Sequence, residues 1–212
     1  MNTLADYYAK RAPEYERIYQ KPERQADLSR LRAFVAASFA GRTVLEIACG
    51  TGYWTEVLAS TARSVIATDL NETVLALART KPLGDKVQLL PCDAFQLDRI
   101  AGQFDAALAV FWWSHLTRAQ LTCFLDGLHR KLQPGSVVVF IDNIFVEGSS
   151  TPISRSDADG NTYQMRSLDG GSSTEVLKNF PTNEEIATAL PGEAISIDRL
   201  TYYWSVRYGI RA

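Results

Sequence analysis

The residues best placed to do chemistry are Glu46, Gly50, Gly52, Asp69 and Asp93. The first three lie in Thr43-Val44-Leu45-Glu46-Ile47-Ala48-Cys49-Gly50-Thr51-Gly52, an apolar run that breaks into Gly-Thr-Gly ahead of an amphipathic segment from Trp54 to Ala62. This pattern predicts a strand, a tight turn and a helix, with glycines that let a ligand approach the backbone closely. Glu46 is an acid inside a strand destined for burial on both faces, which is costly without a partner. It therefore either steers a ligand or fixes the loop. Asp69 closes a second apolar run, Ser64 to Thr68, at the distance where a carboxylate grips two ribose hydroxyls. The dinucleotide fingerprint G-x-G-x-x-G fails at its third glycine, where Thr55 stands, and an acid beside a pyrophosphate would be repelled. Asp93, in Pro91-Cys92-Asp93-Ala94, either accepts from an adenine amine beside the Ala94 N–H or caps a helix.

A second group follows the fourth apolar run, in Phe111-Trp112-Trp113-Ser114-His115-Leu116. Aromatic faces there would stabilise a cation and position a flat substrate. His115 is the one side chain of this stretch that titrates near neutrality. It is the candidate for taking a proton from an attacking hydroxyl or amine; the plainer alternative is a histidine that only bonds a carbonyl. Asp142 and Asn143 end the fifth run and read as substrate contacts or as a turn. His129 suits the negative end of a helix dipole and needs no catalytic role.

The acid three residues before Cys-Gly-Thr-Gly resembles motif I of class I S-adenosylmethionine-dependent methyltransferases, and with Asp69 and Asp93 the likeness covers about residues 40 to 142. It implies S-adenosyl-L-methionine as cofactor and S-adenosyl-L-homocysteine as product. The loop Glu46, Ala48, Cys49, Gly50 and Gly52 would wrap the cofactor. Asp69 with Leu70 would take the ribose, Asp93 with Ala94 the adenine, and Phe111 would flank them. Related methyltransferases close this site with a Tyr-rich N-terminal helix; Tyr8, Arg11 and Tyr15 share one helical face here. Tyrosines that merely pack their rings are the alternative. Trp113, His115, Asn143 and Tyr163 are the candidate acceptor contacts. The implied reaction is methyl transfer to O or N of a small molecule. An RNA or protein methyltransferase, or a non-catalytic S-adenosylmethionine-binding protein, is the alternative.

These residues need a scaffold, and the apolar runs alternate with helical patterns. Asn71, Thr117 with Gln120, and Thr182 with Glu185 are helix starts; Gly41 and Pro134-Gly135 are stops. The expected fold is α/β: a doubly wound, mostly parallel seven-stranded Rossmann-like sheet with helices on both faces. A polar β-hairpin-like insert follows strand five. As one domain, the chain divides into an N-terminal helical cap (1–41), a cofactor-binding core (42–147), an insert or lid (148–180) and a C-terminal helix with a strand pair (181–212). Tyr163, Met165 and Leu168 are expected to lay apolar side chains over an acceptor cavity; a surface hairpin is the alternative.

Composition narrows the partners. The 212 residues carry a net charge of −2, so no broad basic field recruits nucleic acid. Cys49, Cys92 and Cys123 show no C-x-x-C spacing, which argues against a disulfide framework or zinc site and for a reducing compartment. Asp157-x-Asp159-Gly160 lacks the remaining ligands of a calcium loop and reads as a turn, so no metal is expected. No apolar run is long enough to span a membrane, and the chain reads as cytoplasmic. Tyr202, Trp204, Val206 and Tyr208 alternate along the last strand as core or as subunit contact, the latter allowing a homodimer.

Overall fold

A computed structural model of the chain describes residues 11–167, 171 and 173–211. Seven strands form one sheet: β1 (Thr43–Ile47), β2 (Ser64–Asp69), β3 (Val87–Pro91), β4 (Phe104–Val110), β5 (Leu132–Asn143), β9 (Glu193–Arg199) and β10 (Tyr203–Gly209). Their order is β3-β2-β1-β4-β5-β10-β9, with β10 antiparallel to both neighbours and the other pairs parallel. The order reverses between β1 and β4, so a crevice opens outside the carboxyl ends of these strands.

Alternate residues of each central strand feed two cores. Val44, Val65, Leu108 and Val139 pack against α1 (Gln25–Ser38) and α2 (Tyr53–Thr61). Leu45, Ala107, Val138 and Phe140 pack against α4 (Arg118–His129) and α5 (Asn183–Ala189). Helices thus cover both faces, which is why β4 and β5 read as unbroken apolar runs. Helix α3 (Glu72–Ala78) begins where the Asn71 side chain accepts from the Thr73 N–H. Both expected capping boxes, Thr117/Gln120 and Thr182/Glu185, close reciprocally. Trp204, Val206 and Tyr208 are core residues of this chain.

Three local expectations need correction. Helix α1 ends at Ser38, and Gly41, at φ +70°, turns the chain beyond it instead of capping it directly. Strand β5 starts before Pro134-Gly135; the pair there is absorbed by a register shift against β4 between Phe104 and Ala106. The insert is a three-stranded antiparallel sheet, β6 (Ile153–Ser156), β7 (Thr162–Ser167) and β8 (Ser173–Leu177), not a hairpin. Its Asp157–Asn161 connection is a turn in which Asp157 Oδ1 accepts from the Asp159 and Asn161 N–H groups. At the other end of the described chain, Ala12–Tyr19 forms a 3-10 helix with Pro13 in its first turn.

Gly52 opens α2 at φ +82°, and a Cβ there would sit 3.1 Å from Ala78 Cβ. A left-handed backbone costs an L-residue about 1–2 kcal/mol, and the α3 contact adds to it. Gly52→Ala should therefore lower the unfolding free energy by at least about 1 kcal/mol in chemical denaturation. An unchanged midpoint would show that the helix N-terminus relaxes freely.

Candidate active site

The crevice holds a cleft of about 580 Å³ at the ends of β1, β2, β3 and β4. Ala48 and Phe111, both non-glycine residues with positive φ (52° and 58°), end β1 and β4 and turn the backbone along its wall. Such strain in ordinary residues gathers at functional sites. Gly50 lines the cleft, and its N–H donates to Asp69 Oδ2 at 2.9 Å. Asp69 Oδ1 accepts from the Asn71 N–H, also at 2.9 Å. One carboxylate therefore fastens the first loop to the end of β2. Burial pushes its pKa up, against the pull of these backbone bonds. Asp93 and Ala94 line the opposite end beside Phe95 and Trp112. Asp93 Oδ1 accepts from the Phe95 N–H, and the buried Trp112 Nε1 has no hydrogen-bond partner among the described residues.

Glu46 stands behind this wall. It is buried, and its Oε2 accepts from Thr55 Oγ1 at 2.7 Å, joining the end of β1 to the first turn of α2. That bond fixes the loop, which is one of its two expected roles. Burial drives its pKa up to about 8, with the Thr55 bond opposing and Asp69 reinforcing the shift. Cys49 is likewise buried behind the wall, its N–H on the Thr68 carbonyl and its thiol pushed up by burial. Gly52 packs against α3 and is not among the residues lining the cleft.

A second, polar cavity of about 240 Å³ adjoins the cleft, and both are lined by Tyr15, Phe111 and His115. Tyr19 is sandwiched nearby, its ring stacked on Tyr53 at 3.6 Å and lying 6.0 Å from Phe111. The His115 Nδ1 lies 2.8 Å from the Leu177 carbonyl. A carbonyl only accepts, so Nδ1 carries the proton and Nε2 the lone pair. Burial, aided by Lys178 and opposed by Asp142, lowers the His115 pKa to about 3. Lys178 Nζ donates to Asp142 Oδ1 at 3.0 Å and to Ser114 Oγ at 2.6 Å. Burial pushes Asp142 up, but Lys178 and the Ser114 and Asn143 N–H groups outweigh it and hold the carboxyl below its usual range.

Not every expected contact meets here. Arg11, Tyr15 and Asn143 line the polar cavity, and Leu70 the cleft. Tyr8 and Leu168 lie outside the described residues. Trp113 is core, 5.2 Å from the Phe140 ring and 5.6 Å from Trp204; its neighbour Trp112 faces the cleft. The one-turn 3-10 helix Trp113–His115 sends adjacent side chains to different surfaces. Tyr163 turns away from both cavities, its hydroxyl on Asp157 Oδ2 and Arg155 over its ring at 3.6 Å. Met165 is 47% exposed on the same outer face. The inner face of β7 instead presents Gln164 and Arg166, and Glu175 to Leu177 of β8 border the cleft. Strand alternation marks Gln164 with Arg166 as one face and Tyr163 with Met165 as the other. Which face points inward is set by docking.

An α/β sheet with this order, an acid-lined cleft at its switch point and strained loops at the ends of β1 and β4 defines a ligand-binding domain of Rossmann-like architecture. The sequence profile of the family described as "Methyltransferase domain" matches residues 44–135. A solved DhpI–SAH complex is 30% identical, with a TM-score of 0.74, covering 98% of this chain and 96% of that one. A demethylmenaquinone methyltransferase of Clavibacter sepedonicus is 32% identical over 50% of this chain and 43% of its own length. A ubiquinone biosynthesis O-methyltransferase of Pseudomonas paraeruginosa is 32% identical over 48% and 44%. The chain spans less than half the length of these curated relatives in the matched region. It belongs to the class I S-adenosylmethionine-dependent methyltransferases, and S-adenosylmethionine is its cofactor. The cleft fits that ligand in kind: it offers the carboxylates of Asp69 and Asp93 and apolar walls, with no Lys or Arg among its described lining residues. Among the described residues no cluster of three His, Cys, Asp or Glu could hold a metal, and no helix is long and apolar enough to cross a membrane.

Two outcomes follow. Asp69→Asn should weaken S-adenosylhomocysteine binding by about 1–3 kcal/mol, the worth of charge-assisted hydrogen bonds; calorimetry on folded protein showing unchanged affinity would remove Asp69 from the ribose site. For Glu46, the folded pKa of about 8 exceeds the usual 4.5, so between these values the folded state holds a proton that the unfolded chain has lost. Stability should then fall with rising pH across that window, by up to about 1.4 kcal/mol per unit. Glu46→Gln should abolish this slope, gaining on the wild type from pH 5 to pH 8; parallel denaturation curves would refute it.

Proposed function

We propose that the chain transfers the methyl group of S-adenosylmethionine to an oxygen or nitrogen of a small molecule held in the polar cavity. The observation that carries this reading is the meeting of cleft and cavity at Tyr15, Phe111 and His115. The 240 Å³ cavity suits a small acceptor better than a polymer. The O-methyltransferase named among the relatives supports the same class.

The bound cofactor supplies a methyl group already activated on a sulfonium, so alignment and exclusion of water provide much of the rate. Asp69 and the Gly50 loop are proposed to hold the ribose, and Asp93 with Ala94 the adenine. Tyr15 and Phe111, at the junction, flank the reacting centre and present ring faces that favour a cation. His115, neutral and fixed by Leu177, acts as an acceptor of a hydrogen bond from the substrate and orients the attacking atom. A base of such low pKa is weak, so orientation outweighs proton abstraction in its role. The insert sheet closes the cavity, anchored by Lys178 on Asp142 and by Asn179, whose N–H donates to the Ser114 carbonyl.

The test is release of S-adenosylhomocysteine across a small-molecule panel; binding of cofactor without any turnover would favour a silent binding protein. His115→Ala should lower turnover by about 10²-fold, the cost of a misplaced attacking atom, with little change in cofactor affinity. Because His115 stays neutral well below its usual 6.5, the rate should show no His115-dependent limb between pH 5 and pH 8. Its ring resonances should not titrate there either. A limb near 6.5 that vanishes in His115→Ala would contradict the neutral-imidazole role.

A further inference from the structure

The polar cavity is unbalanced in charge. Lys21, Arg24, Arg166 and Lys178 line it together with Arg11, and none of its described lining residues is an Asp or Glu. Lys178 is compensated by Asp142 behind it. Lys21, Arg24 and Arg166 form no ion pair among the described residues. Arg24 is spent on neutral partners: Nη2 reaches Ser149 Oγ at 3.3 Å, and the guanidinium lies 5.0 Å from the Tyr202 ring. Arg166 Nη2 donates to Gln164 Oε1 at 2.6 Å. Both guanidinium Nε atoms are buried with no hydrogen-bond partner among the described residues. Both side chains line the one small cavity, where these half-buried arginines meet no carboxylate among the described lining residues.

The crowding is also felt by a neighbour. Beyond the burial that lowers it most, the Lys178 pKa is pushed down by Arg166 and Arg11 against the pull of Asp142. Lys21, Arg24 and Arg166 have no acidic partner among the described residues, so the cavity favours a negative occupant. Planar guanidinium forks match the oxygens of a carboxylate or a phosphorus oxyacid, which offer several acceptors from one centre. Neutral donors from Asn143 and the Ser149–Thr151 turn complete the lining. A neutral amine or phenol would leave the cationic lining uncompensated, and a cationic acceptor would add to the repulsion.

We infer that the methyl acceptor is a small oxyanion-bearing molecule whose carboxylate or phosphorus-oxyacid group is bound in this cavity by Arg24 and Arg166. The inference rests on the methyl-transfer reading above and narrows its acceptor. Selectivity then comes from the insert: Arg166 rides on β7 and Arg24 on the turn into α1, so the anion links the insert to the helical cap.

The test is equilibrium titration of the full chain, loaded with S-adenosylhomocysteine, followed by amide NMR shifts. The probes are inorganic phosphate and acetate, with acetamide as the neutral control. Saturable shifts around Arg24, Arg166 and Ser149 are expected with at least one anion and none with acetamide. The preferred anion identifies the acid class. Arg24→Gln and Arg166→Gln should each weaken that anion about tenfold, equivalent to about 1.4 kcal/mol, while cofactor affinity stays unchanged. Arg166→Lys, which keeps the charge and loses the fork, should fall between wild type and Arg166→Gln and guards against a folding artefact. Anion shifts absent from the cavity, or undiminished in both Gln variants, would overturn the inference even if cofactor binds. Failure to bind S-adenosylhomocysteine would instead sink the methyl-transfer reading, and titrations without it would still test the cavity.

Discussion

The buried pair of Lys178 and Asp142 is the constraint on which the rest of the site hangs. With side chains 5% and 0% exposed, both charges have left water, a cost repaid only by close pairing and further hydrogen bonds. Those bonds are present: Ser114 Oγ accepts a hydrogen bond from Lys178 Nζ, and Asp142 accepts from the Ser114 and Asn143 N–H groups. Three segments distant in sequence are thereby drawn to one point, namely the end of β5, the turn after β4 and the end of β8. Once they meet, the Leu177 carbonyl faces His115, and Asn179 bonds the Leu116 carbonyl. The insert is thus a docked wall. Removal of either charge would leave the other uncompensated, at about 3–5 kcal/mol.

From this anchor the site acquires opposite electrostatic ends. The cleft carries Asp69 and Asp93, with Glu46 behind it held largely neutral near pH 7 by burial. The adjoining cavity carries arginines and lysines. Between them stand groups without net charge: Tyr15, Phe111 and a histidine whose imidazolium form is suppressed. Such a gradient favours a cationic group on one side of the junction and an anionic one on the other.

Backbone geometry makes the arrangement compact. Ala48 and Phe111 accept left-handed conformations at the two strand ends that border the switch point. The Asp69 carboxylate ties the β1 loop to the start of α3 through Gly50 and Asn71. Tyr19, stacked on Tyr53, lends the N-terminal 3-10 helix a rigid seat beside Phe111. Aromatic surface is buried there, on Tyr19 and Phe111.

Strand and helix order, the capping boxes at Thr117 and Thr182, and the positions of Gly50, Asp69 and Asp93 were legible in the sequence. Each depends on neighbours a few residues away: alternation, a cap three positions from its partner, a turn that demands glycine. The acceptor side was not legible in that way. Whether Tyr163 or Gln164 and Arg166 face inward depends on which side of β7 docks, and one residue of difference reverses every side chain. Trp112 and Trp113 are equivalent as sequence, yet a single 3-10 turn puts one in the cleft and the other in the core. Glu46 lies in the motif but bonds Thr55 because strand burial turns its side chain toward α2. The cationic cavity gathers residues from the N-terminal segment, the β5 loop and the insert, in a chain whose net charge of −2 gives no sign of it. Local patterns specify the elements and the loops between strand and helix; only long-range packing decides which distant charges share a wall, because that contact has no period in the sequence.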